Sequence, residues 1–256
     1  MKFLNSIDSQ KRMIIISIFI LLITAAIVDW GRVLYLYGNT IIGVSILSNS
    51  LKFCIVFLAA TLAFFAKGRG VGIEDERKFR LAFSLILIAD ICFFIGKVPS
   101  IMLGIFVFGL VQMILIRRNL IGLKKIGKLK KIHSLLIFFT AYILFSILAP
   151  LNLALLLSLG TNLLTIEILL YSFLLALSVM SALISFCIIK KIPEYNRFLM
   201  LIGIIFFFIC DLTVMGSLLS YNNGSINVFT SSSTWIFYAP ALMLIALSAY
   251  KIDQVV

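Results

Sequence analysis

Three ionisable residues stand inside long apolar stretches. Asp90 lies in Leu81-Ala-Phe-Ser-Leu-Ile-Leu-Ile-Ala-Asp90-Ile-Cys-Phe-Phe94. Asp211 lies in Ile204-Ile-Phe-Phe-Phe-Ile-Cys-Asp211-Leu-Thr-Val-Met215, and Lys52 in Ser48-Asn-Ser-Leu-Lys52-Phe-Cys-Ile-Val-Phe57. A charge at the centre of a membrane helix costs about 2.5–3.5 kcal/mol on insertion scales, so such residues mark function first. Two close carboxyls in a low-dielectric site cannot easily both ionise and tend to share a proton. One then serves as a general acid, and the other as a base or charge stabiliser. Lys52 is expected to keep one carboxylate ionised or to bind an anionic head group. The competing structural reading is a buried Asp–Lys pair that fixes helix register.

The elements that carry these residues are read from hydropathy. Of the 256 residues, 62% are hydrophobic and 12% charged, with a mean hydropathy of +1.19. The 22 Lys+Arg and 10 Asp+Glu are too few to cover a soluble domain of this size. The composition excludes an ordinary cytosolic enzyme, a disordered chain and a disulfide-built secreted domain. It predicts an all-α, polytopic membrane bundle forming a single integral membrane domain. Eight spans are expected, at about 13–30, 40–66, 81–96, 100–116, 133–149, 164–189, 198–220 and 232–250. The stretch Leu151–Gly160 after Pro150 either extends the fifth helix or lies in the interface.

Basic residues orient the bundle. Nineteen of the 22 Lys and Arg fall at the two termini and in the second, fourth and sixth loops. Only Arg32 and Lys97 lie on the opposite side, and Lys52 is inside a span. This asymmetry predicts both termini in the cytoplasm and an even number of helices. The net charge of +12 is therefore a topology signal, and nucleic acid is not an expected partner. The fourth loop, Arg118 to Lys131, alternates apolar and basic residues and could lie against anionic lipid. Asn223-Gly-Ser225 matches a glycosylation sequon and equally makes a good turn. Cys54, Cys92, Cys187 and Cys210 all sit in apolar stretches and read as small buried hydrophobes. With His133 the only histidine, no metal site is expected.

Helix rise sets the depth of the three charges. At 1.5 Å per residue, Asp90 is roughly 15 Å in from Arg80, Asp211 roughly 21 Å from Arg197, and Lys52 roughly 22 Å from Lys67. All three then lie at the middle or in the outer half of the membrane and are expected to converge. Asp29 and Arg32 read as an interfacial pair at the outer end of the first helix. A weak repeat, Glu76-Arg-Lys-Phe-Arg80 and Glu194-Tyr-Asn-Arg-Phe198, precedes the two Asp-bearing helices. It suggests a four-plus-four organisation, about 1–130 and 131–256, that would bring the carboxyls together.

On these residues the chain resembles the YhhN-type lysoplasmalogenases, eight-helix membrane hydrolases. The family's early Lys is matched by Lys52 and its first Asp by Asp90. Its Gly-x-x-x-Phe-x-x-x-His is matched by Gly104, Phe108 and Gln112, and its second Asp by Asp211. The aromatic and small-residue signature of the last helix is matched by Trp235-Ile-Phe-Tyr-Ala-Pro-Ala-Leu-Met-Leu-Ile-Ala-Leu-Ser248. Gln112 in place of His, Ala89 in place of Gly and Phe53 in place of Pro are departures. The resemblance implies hydrolysis of the vinyl ether bond of lysoplasmalogens, giving a fatty aldehyde and glycerophospho-ethanolamine or -choline. It implies Asp90 and Asp211 as the catalytic pair, with no cofactor. Lys52, Gln112 and Tyr238 are the expected substrate-binding or electrostatic groups. The expected partners are a lysophospholipid substrate and membrane lipid, and the expected location is the bacterial inner membrane.

The strongest rival is a small transporter or channel using Asp90, Asp211 and Lys52 as a relay. Broken helices would favour it. Of Pro99, Pro150, Pro193 and Pro240, only Pro240 falls well inside an expected span. An intramembrane aspartyl protease also pairs two Asp, but it carries a Gly where Cys210 stands. A third rival is a non-catalytic lipid-binding or scaffolding protein.

Overall fold

The computed structural model describes residues 9–35, 42–66, 72–122, 131–189, 192–219 and 224–250. Among them are eight helices: α1 Ser9–Tyr35, α2 Ile42–Phe64, α3 Ile73–Ile95, α4 Val98–Asn119, α5 Lys131–Leu159, α6 Leu163–Cys187, α7 Glu194–Leu219 and α8 Gly224–Leu247. The architecture is the expected all-helical membrane bundle. Six of the helices, α1, α2, α4, α5, α6 and α7, are long and apolar enough to cross a membrane. In α3 the first turn carries Glu74, Asp75 and Glu76, which leaves its apolar part to begin near Leu81. In α8 the apolar described segment is Ser233–Leu247. Most of the basic fourth loop, Asn223 of the sequon, and Lys67, Arg69 and Lys251 lie outside the described residues. So do the side chains of Arg32 and His133.

Helix ends follow from local chemistry. Gly96 ends α3 at φ 69°, a left-handed conformation in which a side chain would be strained. Pro99 then occupies the first turn of α4, where its missing N–H leaves no intrahelical bond unmade. The Asn162 side chain accepts a hydrogen bond from the Thr165 N–H at 2.9 Å and caps α6. Residues 151–159 extend the fifth helix, and Pro150 sits inside it. Pro240 is likewise inside a helix, α8, that continues through it.

One face of the bundle is a polar belt of helix ends. Lys11 Nζ lies 4.0 Å from the centre of the Tyr250 ring, so the start of α1 and the end of α8 meet there. The Tyr250 hydroxyl donates to the Leu62 carbonyl near the end of α2. Arg118, at the end of α4, donates from Nε to Asp75 Oδ1 at 2.8 Å and from Nη2 to the Ser248 carbonyl at 2.9 Å. Its guanidinium also lies 4.3 Å from the centre of the Phe79 ring. Asn196, at the start of α7, donates to the same Ser248 carbonyl at 2.9 Å. Both described ends therefore share one face, as an even number of crossings requires.

Sequential neighbours pack along each half, α1 to α4 and α5 to α8, and α7 on α8 is the most extensive pairing. Gly203 is the reason those two approach closely. A Cβ there would come within 2.8 Å of the Ile245 side chain and 3.2 Å of the Ala241 carbonyl. Three pairings cross between the halves, α4 on α6, α2 on α8 and α1 on α8. The perimeter is apolar, with Phe138, Leu157 and Leu170 among the exposed side chains. In water such a surface would drive association, whereas in lipid it is solvated.

Candidate functional site

Asp90 sits on the inward face of α3, with only 6% of its surface exposed. The Tyr238 hydroxyl of α8 donates to its Oδ2 at 2.7 Å. Asp211, on α7, is half-buried, and the Tyr171 hydroxyl of α6 donates to its Oδ2 at 2.6 Å. Each carboxyl is thus held by one phenol from a different helix. Phe207, one turn before Asp211 on α7, packs on the Tyr238 ring that reaches Asp90. The two carboxyls are therefore linked through the packing of α7 on α8.

The walls are aromatic. The Tyr238 ring stands edge-on to Phe207 at 5.6 Å, to Trp235 at 5.1 Å and to Phe108 at 6.4 Å between centroids. Phe108 also packs on Phe93 at 5.7 Å. Gly104 admits that contact, because a Cβ there would lie 3.0 Å from the Phe93 ring. Edge-to-face packing fixes ring orientation, so Tyr238 aims its hydroxyl at Asp90 from a rigid frame. Gln112 of α4 lies beside the Tyr171 hydroxyl and is 1% exposed. Beyond that approach to Tyr171, its amide has no hydrogen-bond partner among the described residues.

Lys52 is placed differently from expectation. Its Nζ pairs with Asp29 Oδ2 at 2.6 Å, and Asp29 Oδ1 accepts from the Ser48 hydroxyl at 2.6 Å. The pair is buried between α1 and α2. Lys52 is therefore not the direct partner of either site carboxyl, and Asp29 belongs to Lys52. The reason is proximity: α2 packs on α1, and a buried ammonium takes the carboxylate its neighbour offers. Contact with the site is indirect. Lys52 Nζ lies 5.5 Å from the centre of the Trp235 ring, which in turn packs on Tyr238.

The sequence reasoning missed Tyr171. A phenol amid the leucines of α6, about 12 Å from the start of that helix at 1.5 Å per residue, was the available signal. The cysteines divide. Cys92 and Cys210 are buried, Cys187 is intermediate, and Cys54 is exposed rather than buried. Cys54 lines an apolar groove between α1 and α2 with Ser17, Ile20, Leu21, Phe53, Phe57 and Leu58. Among the described residues no carboxylate borders that groove. No family model, curated protein or solved structure matches the chain.

Proposed function

We propose that the protein is a membrane hydrolase of the lysoplasmalogenase type, cleaving the vinyl ether bond of a lysophospholipid. The observation that carries this reading is the pair Asp90 and Asp211. They stand on separate helices, each gripped by one tyrosine, and Phe207, one turn before Asp211, packs on the Tyr238 that holds Asp90. The resemblance carried by Lys52, Asp90, Gly104, Phe108, Gln112, Asp211 and the Trp235–Ser248 signature supports the choice of substrate.

In this reading one aspartic acid, protonated, gives its proton to the outer carbon of the C=C–O unit. The ether carbon becomes an oxocarbenium ion. The other aspartate, ionised, stabilises that cation and takes a proton from the water that adds to it, as paired carboxylates do in glycosidases. The hemiacetal then collapses. The water oxygen stays with the aldehyde, and the ether oxygen leaves with a proton as the glycerophospho-alcohol. Tyr238 and Tyr171 hold the carboxyls in place through this exchange. The rings of Phe108, Phe207 and Trp235 offer an apolar wall to the alkenyl chain.

The same proposal puts the protein in a bacterial inner membrane with both ends in the cytoplasm, supported by the basic loops on one side. The deciding experiment incubates purified protein in detergent with lysoplasmenyl-ethanolamine and lysoplasmenyl-choline. Fatty aldehyde is expected. No aldehyde from either lipid, with the protein monodisperse and folded, rejects the hydrolase and leaves an ion or proton relay as the better account.

A further inference from the structure

Between α4 and α6 runs a line of polar side chains within an otherwise apolar bundle. Asn119 Nδ2 donates to the Ser181 hydroxyl at 3.2 Å, which fixes the register of the two helices. Seven residues earlier on α4 stands Gln112, beside Tyr171 of α6. Ser178 falls between these two levels, one turn before Ser181. Gln112, Ser178 and Asn119 are 1%, 0% and 0% exposed. The Ser178 hydroxyl and the Asn119 amide oxygen have no hydrogen-bond partner among the described residues, and the Gln112 amide, which reaches only the Tyr171 hydroxyl, is left under-satisfied.

Several orphaned polar atoms along one seam are not tolerated in a dry apolar core. Lipid offers them nothing, because a bilayer interior supplies no hydrogen bonds. Buried water is the usual remedy, and it needs polar partners at intervals. The seam meets that need. Gln112 and Asn119 are roughly 10 Å apart along the helix axis at 1.5 Å per residue. That length holds about three waters at hydrogen-bond spacing. Its inner end lies at the polar belt, next to Arg118. Its other end touches Tyr171 and through it Asp211.

We propose that a file of bound water occupies the α4–α6 seam from Asn119 to Gln112 and delivers water to the Asp90–Asp211 site from the belt face. Delivery rests on the hydrolase reading, which consumes one water per turnover. The file itself does not.

Hydroxyl-radical footprinting of the purified protein in detergent tests the file without any substrate. Radicals form where water is bound as well as where it is bulk. Leu115 and Leu175 flank the seam and are fully buried, as is Phe83 elsewhere in the core. Oxidation of Leu115 and Leu175 well above Phe83 is expected. Ser178→Val and Gln112→Leu, which replace polar atoms by apolar ones, should each bring that labelling down to the Phe83 level. Melting curves would show that both variants are folded. If Leu115 and Leu175 in the wild-type protein are as protected as Phe83, the file does not exist, whatever the enzyme does. If labelling is lost in both variants while aldehyde release stays at the wild-type rate, delivery by this route is wrong. If the seam labels but wild-type protein releases no aldehyde, the hydrolase reading fails and the file stands.

Discussion

The Tyr238 hydroxyl reaches Oδ2 of Asp90 at 2.7 Å, joining two helices whose residues are 148 apart in the chain. The ring that delivers it is braced by Phe108, Phe207 and Trp235. Tyr238→Phe keeps that bracing and removes only the donor. A hydrogen bond to a charged partner is worth about 1.5–3 kcal/mol. Aldehyde release should therefore fall by about tenfold or more, while the melting temperature moves little. Unchanged turnover would show that Asp90 does not need this tyrosine.

Asp90→Asn and Asp211→Asn should each lower turnover by about a hundredfold or more, because a general acid or base contributes about 10²–10⁴. Asn keeps the shape and still accepts from the tyrosine, so folding should survive. Turnover near wild type in either variant would refute the two-carboxylate mechanism.

Lys52 and Asp29 form a buried pair, so removing one partner strands the other. Lys52→Met should cost about 3–5 kcal/mol of stability. The double variant Asp29→Asn/Lys52→Met should recover much of that loss, since no buried charge is left alone. Thermal unfolding in detergent, compared across the two singles and the double, measures the coupling. A Lys52→Met protein as stable as wild type would mean the pair contributes nothing.

Topology is open to direct test. The contact of Lys11 with Tyr250 places both described ends on one face, and the basic loops assign that face to the cytoplasm. A reporter fused after Ser225 should read the opposite side from one fused at the C-terminus. The same side for both would reject the eight-pass arrangement.

The sequence by itself determined the fold class and the helix inventory. Eight apolar blocks of the right length, separated by basic loops, admit few arrangements other than a membrane bundle, since only helices satisfy every backbone group within one segment. Boundaries were legible to within a few residues in most cases. Of the two readings of Leu151–Gly160 the structure takes the helical extension, and the largest misses were the starts of α3 and α8, each eight residues earlier than expected. Asp90, Asp211 and Lys52 were legible as costly residues at depth, because expense is a property of residue and environment alone.

Partners were decided only by tertiary structure. Nothing in the order of residues says that Lys52 faces Asp29 rather than Asp90. That depends on which face of α2 turns to α1, and every face of α2 is apolar enough to turn inward. Tyr171 and the serines of α6 were hidden for the same reason. In a helix that is apolar all round, hydrophobic periodicity no longer marks the buried side. The packing of α6 on α4 and α7 does so instead. Contact at Gly109 of α4, where a Cβ would lie 3.4 Å from the Leu174 side chain of α6, together with the hydrogen bonds left to be made, selects the rotation that puts Tyr171 against Asp211.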